Sequence, residues 1–254
     1  MPKSTQNELL HVIEELVGKM PITIKLQSLP KIDTQNYQIF PENKSLSKKQ
    51  LEKIAAKIEK QATTKRELNL VSALRSATAD ELKPLTETGY LFQVNEDRQF
   101  DKVKEKLKLY DYTALIKDRK AFRCGDNFYS ELEEENSYTC VALRRQKPGD
   151  LIRLLGIENC CNFGLSCEFI ARQVDKWDRK LEIEVLEVTY DTLGFKIKNM
   201  PPNPELFIKQ MIKICPEFGE FDADIIEDKA AFNKCLSEAV KNLKKNKEVF
   251  CWWD

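Results

Sequence analysis

The hydrophobic pattern of the chain is most distinctive at its carboxyl end, where five apolar residues in a row precede the final aspartate. As a β-strand, this run would alternate between two faces, one with Val249, Cys251 and Trp253 and the other with Phe250 and Trp252. A chain end normally frays, and solvent does not hold two tryptophans in place. The pattern therefore predicts a C-terminal strand inserted into a sheet that is covered on both faces.

Helical and strand patterns alternate through the residues that lead to this strand. Ser166 is placed as the N-cap of a helix, and strands are predicted at 183–188 and 195–197. Two further helices follow, one opened by Pro204 and one over 229–244. This order predicts an α+β fold, a two- or three-layer sandwich in which helices cover a mixed, largely antiparallel sheet.

The first third of the chain has a different pattern. Amphipathic helical spacing dominates residues 1–85, with a single alternating segment at 22–26 that predicts a strand. We therefore expect a mainly helical N-terminal region at 1–85 and an α/β domain at 86–254. The pattern leaves open whether the N-terminal region is a separate domain or a layer on the sheet.

Composition and charge narrow the class of protein. The 254 residues are 42% hydrophobic and 32% charged, as in soluble globular proteins. Only 8 glycines occur, which argues against a glycine-rich nucleotide fold, and the formal net charge is zero. Lysines are interleaved with acidic residues rather than clustered, which argues against nucleic-acid binding. Another protein is the partner that we expect, and the pattern leaves monomer and homodimer both open.

The compartment is predicted from apolar runs and cysteines. No run approaches the ~20 apolar residues that span a bilayer, and the first residues lack the apolar core of a signal peptide. We therefore expect a cytoplasmic protein without a membrane partner, in which the 8 cysteines are thiols. No Cys-x-x-Cys pair is present, so neither a zinc site nor another metal site is predicted.

The sequence lacks the sets of residues that most catalytic mechanisms require. Any Ser-His-Asp or Cys-His mechanism would need His11, the single histidine, which the helical pattern places on a surface helix far along the chain from every cysteine. No glycine motif for nucleotide phosphates is present, so we expect no cofactor.

The best candidate site is the loop at 156–168. It places Asn159, Cys160, Cys161 and Asn162 before the Ser166 helix, whose free N–H groups and dipole favour an anion or a thiolate. The alternative is structural: the asparagines hold the loop backbone, and the cysteines are small apolar fillers.

The terminal Trp253 and Asp254 complete the candidate binding residues. Asp254 brings two carboxylates, its side chain and the chain terminus, to the end of the predicted strand. These charges need water, a cation or the start of a helix nearby.

Several short segments together resemble one family. They are Leu-Leu-Gly at 154–156, Asn-Cys-Cys-Asn-Phe-Gly at 159–164, Trp-Asp at 177–178, Cys-Pro-Glu at 215–217 and Trp-Trp-Asp at 252–254. They are similar to segments of a bacterial family, the domain-of-unknown-function family 4253. The resemblance covers roughly residues 87–254 and is strong over 140–254. It implies a bacterial or phage-like origin and a compact α/β domain, and it supplies no activity.

This chain departs from the family pattern at three positions. Cys160 stands where the family usually has glycine, Phe163 where it has tyrosine and Glu217 where it has aspartate. If that glycine needs a positive φ, then Cys160 would be strained or the loop rebuilt.

The sequence favours two functions over a third, a surface-binding effector delivered to another cell. The first is a non-enzymatic protein-binding module, an inhibitor or immunity-type protein, with partner specificity in residues 1–85. The alternative is an enzyme that uses a thiol or carboxylate of the 156–168 loop.

Overall fold

The computed structural model describes residues 3–28, 47–63, 65–77, 84–119, 138–215, 218, 221 and 228–253. Its helices are α1 (Lys3–Val17), α2 (Lys48–Glu59), α3 (Lys65–Ser76), α4 (Asp97–Lys108), α5 (Pro148–Leu155), α6 (Cys167–Leu181), α7 (Pro204–Ile214) and α8 (Lys229–Asn246), with a 3-10 helix at Asn159–Phe163. Its strands are β1 (Ile22–Gln27), β2 (Thr86–Val94), β3 (Tyr112–Arg119), β4 (Tyr138–Arg144), β5 (Ile183–Val188), β6 (Thr192–Ile197) and β7 (Glu248–Trp252).

The seven described strands form one sheet in the order β1-β2-β4-β3-β5-β6-β7. Neighbouring strands are antiparallel except β3 and β5, which run parallel with Ile116 opposite Glu187. The prediction of a mixed, largely antiparallel sheet with helices is therefore confirmed.

Different helices cover different parts of this sheet. The largest apolar core contains residues of α5, α6, α7 and α8 together with those of β5, β6 and β7. A second core lies on β2, β3 and β4, where α1 and α4 cover the strands. A third, smaller cluster joins α2 to α3. Helices therefore lie on both sides of the sheet. β3 and β4 contribute buried residues to both cores, whereas β5, β6 and β7 contribute to the first core and not to the second.

The helix α6 begins where the sequence predicted. The Ser166 hydroxyl accepts a hydrogen bond from the Phe169 N–H at 3.0 Å, which satisfies a helix-end donor. Its apolar stripe, including Ile170, Val174 and Trp177, is buried, and the Trp177 ring meets Phe207 edge-on at 5.1 Å.

A buried ionic cluster joins α6 to the preceding helix α5. The Arg153 side chain is only 7% exposed and bonds to Asp150 at 3.0 Å, Glu168 at 2.7 Å and Asp175 at 2.9 Å. Asp175 also accepts the Gly149 N–H at 2.9 Å. A Cβ at Gly149 would lie 2.4 Å from the Asp175 carboxylate, so only glycine allows the two helices to approach this closely.

The terminal strand has the predicted alternation but not the predicted cover. Val249, Cys251 and Trp253 are buried beneath helices, whereas Phe250 is 49% and Trp252 is 43% exposed. The prediction of a sheet covered on both faces at this strand is therefore wrong. The second layer of α1 and α4 covers β2, β3 and β4 and does not extend over β7.

The N-terminal region is mainly helical, as predicted, but part of it belongs to the sheet. β1 pairs with β2 in antiparallel register, and α1 packs on the core of β2, β3 and β4. The α2–α3 pair forms its own cluster, and Ser47 forms a capping box with Gln50 at the start of α2. The boundary at residue 85 stays a prediction.

In the part of the chain that the structure describes, no helix combines the length and hydrophobicity that a bilayer-spanning segment requires.

Candidate functional site

The predicted loop lies against the end of the terminal strand. The Asn159 side-chain amide donates a hydrogen bond to the Trp253 carbonyl at 3.1 Å, across 94 positions of sequence. The backbone N–H groups of Glu158 and Asn159 both donate to the Tyr190 carbonyl, at 2.8 and 3.1 Å. The structure thus brings together Asn159 and Trp253 of the predicted site residues. Asp254 lies outside the described residues.

Cys160 is part of the core rather than a reactive thiol. It is 1% exposed, its thiol donates to the Ile157 carbonyl at 3.0 Å, and burial raises the pKa of Cys160 to about 12. Burial likewise raises the pKa of Cys167 to about 11. Both thiols stay protonated at neutral pH, and the nucleophile in thiol chemistry is the thiolate.

The departure of Cys160 from the family's glycine causes no strain. The positive-φ positions in this loop are Gly156 and Gly164, at 77° and 67°, and Cys160 is not among the non-glycine residues with positive φ. The 3-10 helix therefore accepts a side chain at 160, and the two neighbouring glycines make the turns.

Ser166 and the start of α6 are already engaged within the protein. The Ser166 hydroxyl caps the helix, as described above, and the first turn carries the Glu168 carboxylate. Glu168 binds Arg153 at 2.7 Å and Arg172 at 2.6 Å. An added anion would meet this carboxylate, so the predicted anion-favouring helix start supports no anion site.

Cys161 and Asn162 are exposed on the 3-10 helix, and the Cys161 sulfur lies 3.9 Å from the Asn162 side-chain oxygen. The seven cysteines in the described ranges are all thiols. Among those same residues, no group of three or more His, Cys, Asp or Glu side chains is placed to hold a metal ion. His11 is exposed on α1 beside Glu14 and Glu15.

The thiols of this loop are expected to differ sharply in reactivity. At pH 8, iodoacetamide should modify exposed Cys161 at least about tenfold faster than Cys160, because only the thiolate reacts. The raised pKa of Cys160 means that its rate should still increase as the pH rises toward 12. Peptide mass spectrometry over time measures both rates. Cys160 reacting first would contradict the buried-thiol assignment and favour the enzyme alternative.

A chain of polar contacts fixes the turn between β5 and β6 beside the terminal strand. The Thr189 hydroxyl donates to Asp191 at 2.8 Å and accepts the Thr192 N–H at 3.0 Å, while the Thr192 hydroxyl bonds to buried Glu187 at 3.3 Å. The Trp252 indole N–H donates to the other Asp191 oxygen at 3.3 Å. This hydrogen bond connects the exposed indole to the turn.

The uncovered part of the sheet lies next to this turn. We use the name open face for the surface of β5, β6 and β7 that carries Leu186, Phe250 and Trp252. A groove of about 550 Å³ runs between this face and α4, with Leu186 and Phe250 in its lining. Gly194 lies at the bottom of the groove and leaves space there. A Cβ added at this position would lie 3.3 Å from the Glu187 Cβ and 3.7 Å from the Phe250 ring.

Lysines of this groove are held by carboxylates of the open face. Glu184 binds Lys104 at 2.8 Å and Lys108 at 3.7 Å, and Lys196 binds Glu248 at 3.0 Å. Burial disfavours the charged form of Glu184, but the hydrogen bond from Lys104 and the nearby lysine charges together outweigh burial and hold the pKa of Glu184 below its usual value. The groove therefore combines an apolar floor with charged walls.

Sequence reasoning did not predict the open face, although one signal was present. The alternation at the chain end placed Phe250 and Trp252 on the same face. The alternation could not show that α4 packs on the sheet only as far as β3, because the position of a helix on a sheet depends on tertiary packing.

The comparisons with known proteins identify one family. Residues 140–254 match the model of a family described as a domain of unknown function, DUF4253. The resemblance is confirmed for that segment, and the match does not extend back to residue 87. No curated protein and no solved structure matches the chain.

Proposed function

We propose, from the premise that residues 140–254 belong to the DUF4253 family, that this chain is a non-enzymatic protein-binding module. It acts as an inhibitor or immunity-type protein in the cytoplasm of a bacterium. The observation that carries the proposal is the open face, where Phe250 and Trp252 are 49% and 43% exposed on a fixed strand. Neighbouring exposed aromatic side chains on a rigid element are typical of the centre of a protein interface.

The chemistry around the open face supports a protein as the partner. Aromatic rings bury much apolar area at little cost in side-chain entropy, which favours association with another apolar surface. The groove walls carry both signs of charge, and the whole chain has a formal net charge of zero. Nucleic acid would instead require an excess of positive charge to replace its counterions.

A second groove of about 1050 Å³ near the start of α5 is a weaker candidate for the interface. Lys198 and Glu182, in its lining, pair with each other at 2.7 Å. Its lining holds none of the large exposed apolar side chains found in the described part of the chain.

The test is capture of a partner with paired variants. Tagged protein, expressed at native level in its own host, is expected to retain one protein in stoichiometric amount. Phe250→Ser should lose that protein, because the variant removes the ring on the open face. Leu206→Ser is the matched control, since Leu206 is 52% exposed on α7 and outside the groove. It should retain the partner.

Two results would overturn this proposal. One is a protein that captures nothing in stoichiometric amount, and the other is equal capture by both variants. Light scattering after size exclusion identifies a further occupant: a dimer that only Phe250→Ser dissociates would assign the open face to a second copy of this chain. Circular dichroism of each variant checks that it is folded.

A further inference from the structure

We infer that the segment received by the open face is basic as well as apolar: the partner presents Lys or Arg side chains next to apolar ones. This inference rests on the proposed function, and it specifies the chemistry of the partner at that site. The inference depends on which charged side chains of the groove are already paired with an opposite charge and which are not.

The charges that line the groove are unequal. Five carboxylates face three lysines, the carboxylates being those of Asp101, Glu105, Glu184, Glu187 and Glu248. Each lysine, moreover, already binds a carboxylate: Lys104 and Lys108 bind Glu184, and Lys196 binds Glu248. An acidic partner would have to compete with these ion pairs and would add to an excess of negative charge.

Two carboxylates on the α4 wall remain available. The side chains of Asp101 and Glu105 are exposed and make no ion pair or hydrogen bond within the described residues. They are four positions apart on one helix, so they lie on the same face, about one 5.4 Å turn apart. Both line the groove whose opposite side carries Phe250. A segment that covers the ring therefore passes within reach of both carboxylates.

Apolar and charged contacts have separate roles in this arrangement. Covering Leu186 and Phe250 removes apolar surface from water, which supplies most of the affinity. Basic side chains that reach Asp101 and Glu105 give orientation and exclude acidic segments. A basic segment without apolar residues would leave Leu186 and Phe250 exposed to water. An apolar segment without basic residues would leave the two carboxylates of α4 without a counter-charge.

The experiment uses three synthetic peptides of equal length with the full-length protein. They repeat Lys-Leu-Ser, Glu-Leu-Ser and Lys-Ser-Ser, and binding is measured by calorimetry and by acrylamide quenching of tryptophan emission. Trp252 reports on the open face, because it is 43% exposed whereas Trp177 and Trp253 are 8% and 0% exposed. We expect the Lys-Leu-Ser peptide to bind most tightly and to shield Trp252 from the quencher.

Paired variants separate the local charges from the net charge. Asp101→Asn with Glu105→Gln should weaken binding of the Lys-Leu-Ser peptide about threefold to tenfold, as expected for two exposed ion pairs. Glu205→Gln with Glu238→Gln changes the net charge equally on exposed positions of α7 and α8 and should leave binding unchanged. Phe250→Ser should abolish binding of this peptide.

Each other outcome overturns the inference, and most leave the proposed function intact. Equal binding of the Lys-Leu-Ser and Glu-Leu-Ser peptides would show an apolar site without charge preference. Equal binding of the Lys-Ser-Ser peptide would show non-specific charge attraction. Absence of binding by all three peptides would refute the basic segment, while partner capture that depends on Phe250 would still support the open face. Failure of both experiments would remove both proposals.

Discussion

Replacing Trp253 with alanine is expected to lower the free energy of unfolding by about 3–5 kcal/mol, the range for removal of a large buried aromatic side chain. Trp253 is completely buried. Its indole N–H donates to the Ile214 carbonyl at 2.8 Å, and that carbonyl lies in the last turn of α7. The substitution therefore leaves a cavity and also removes the donor for a helix-end carbonyl, which water cannot replace without opening the core.

The neighbouring tryptophan is the matched control. Trp252→Ala removes the same kind of side chain one position earlier, from the exposed face of β7, and should cost about 1 kcal/mol or less. Urea unfolding followed by circular dichroism measures both variants, with an unchanged m-value as the check that only stability differs. Similar losses for the two variants would contradict the assignment of one covered and one open face to β7.

Replacing Arg153 with leucine is expected to destabilise the protein by about 3–5 kcal/mol, because it leaves buried carboxylates without their counter-charge. The Glu168 side chain is 10% exposed and Asp150 is 17% exposed, so water compensates them poorly. Burial disfavours the charge on Arg153, but Glu168 and Asp175 more than offset it and raise the pKa of the guanidinium. The arginine is therefore charged at every pH at which the protein can be studied.

Arg172 provides the control for this prediction. It binds the same carboxylate of Glu168 at 2.6 Å, but its own side chain is 52% exposed. Arg172→Leu should therefore cost less than about 1 kcal/mol, as exposed ion pairs do. Adding Glu168→Gln to Arg153→Leu should recover part of the lost stability, because it removes one uncompensated charge. Equal effects of the two arginine substitutions in urea unfolding would contradict the buried cluster.

Local sequence signals predicted most of the elements because those signals act locally. Ser166 caps α6 where the sequence placed an N-cap, and Pro204 lies in the first turn of α7. The hairpin of β5 and β6 was found too, although β6 begins at Thr192, three residues earlier than predicted. Alternation also assigned every residue of the terminal run to its correct face, since it depends only on the strand period.

Arrangements that depend on distant parts of the chain were not predictable in this way. Arg153 was not singled out, because its partners Glu168 and Asp175 come from another helix and no local pattern marks them. The exposed Phe250 was missed for a related reason: hydrophobicity shows what a residue favours, not whether a layer covers it. Both features were fixed only by how the helices pack.

The candidate loop contacts the end of the terminal strand, and its residues differ in what they do there. Cysteines in a loop before a helix suggest a reactive thiol, yet burial makes Cys160 a core residue. Asn159 turned out to connect the loop to the end of the terminal strand, and its bond to the Trp253 carbonyl spans too much sequence to be read from spacing. The structural alternative for this loop therefore describes Asn159 and Cys160 better than the chemical one.

The segment that matches the family model lacks β3, a central strand of the sheet, and so is not a unit that can fold by itself. In the sheet, β3 lies between β4 and β5, although Tyr112–Arg119 precede the matched segment 140–254. A polypeptide that started at residue 140 would lose this central strand. The facing edges of β4 and β5 would then have their backbone N–H and C=O groups unpaired in the interior. The smallest autonomous part of the protein must accordingly begin upstream of Tyr112, so the segment that matches the family model does not mark the limits of cooperative folding.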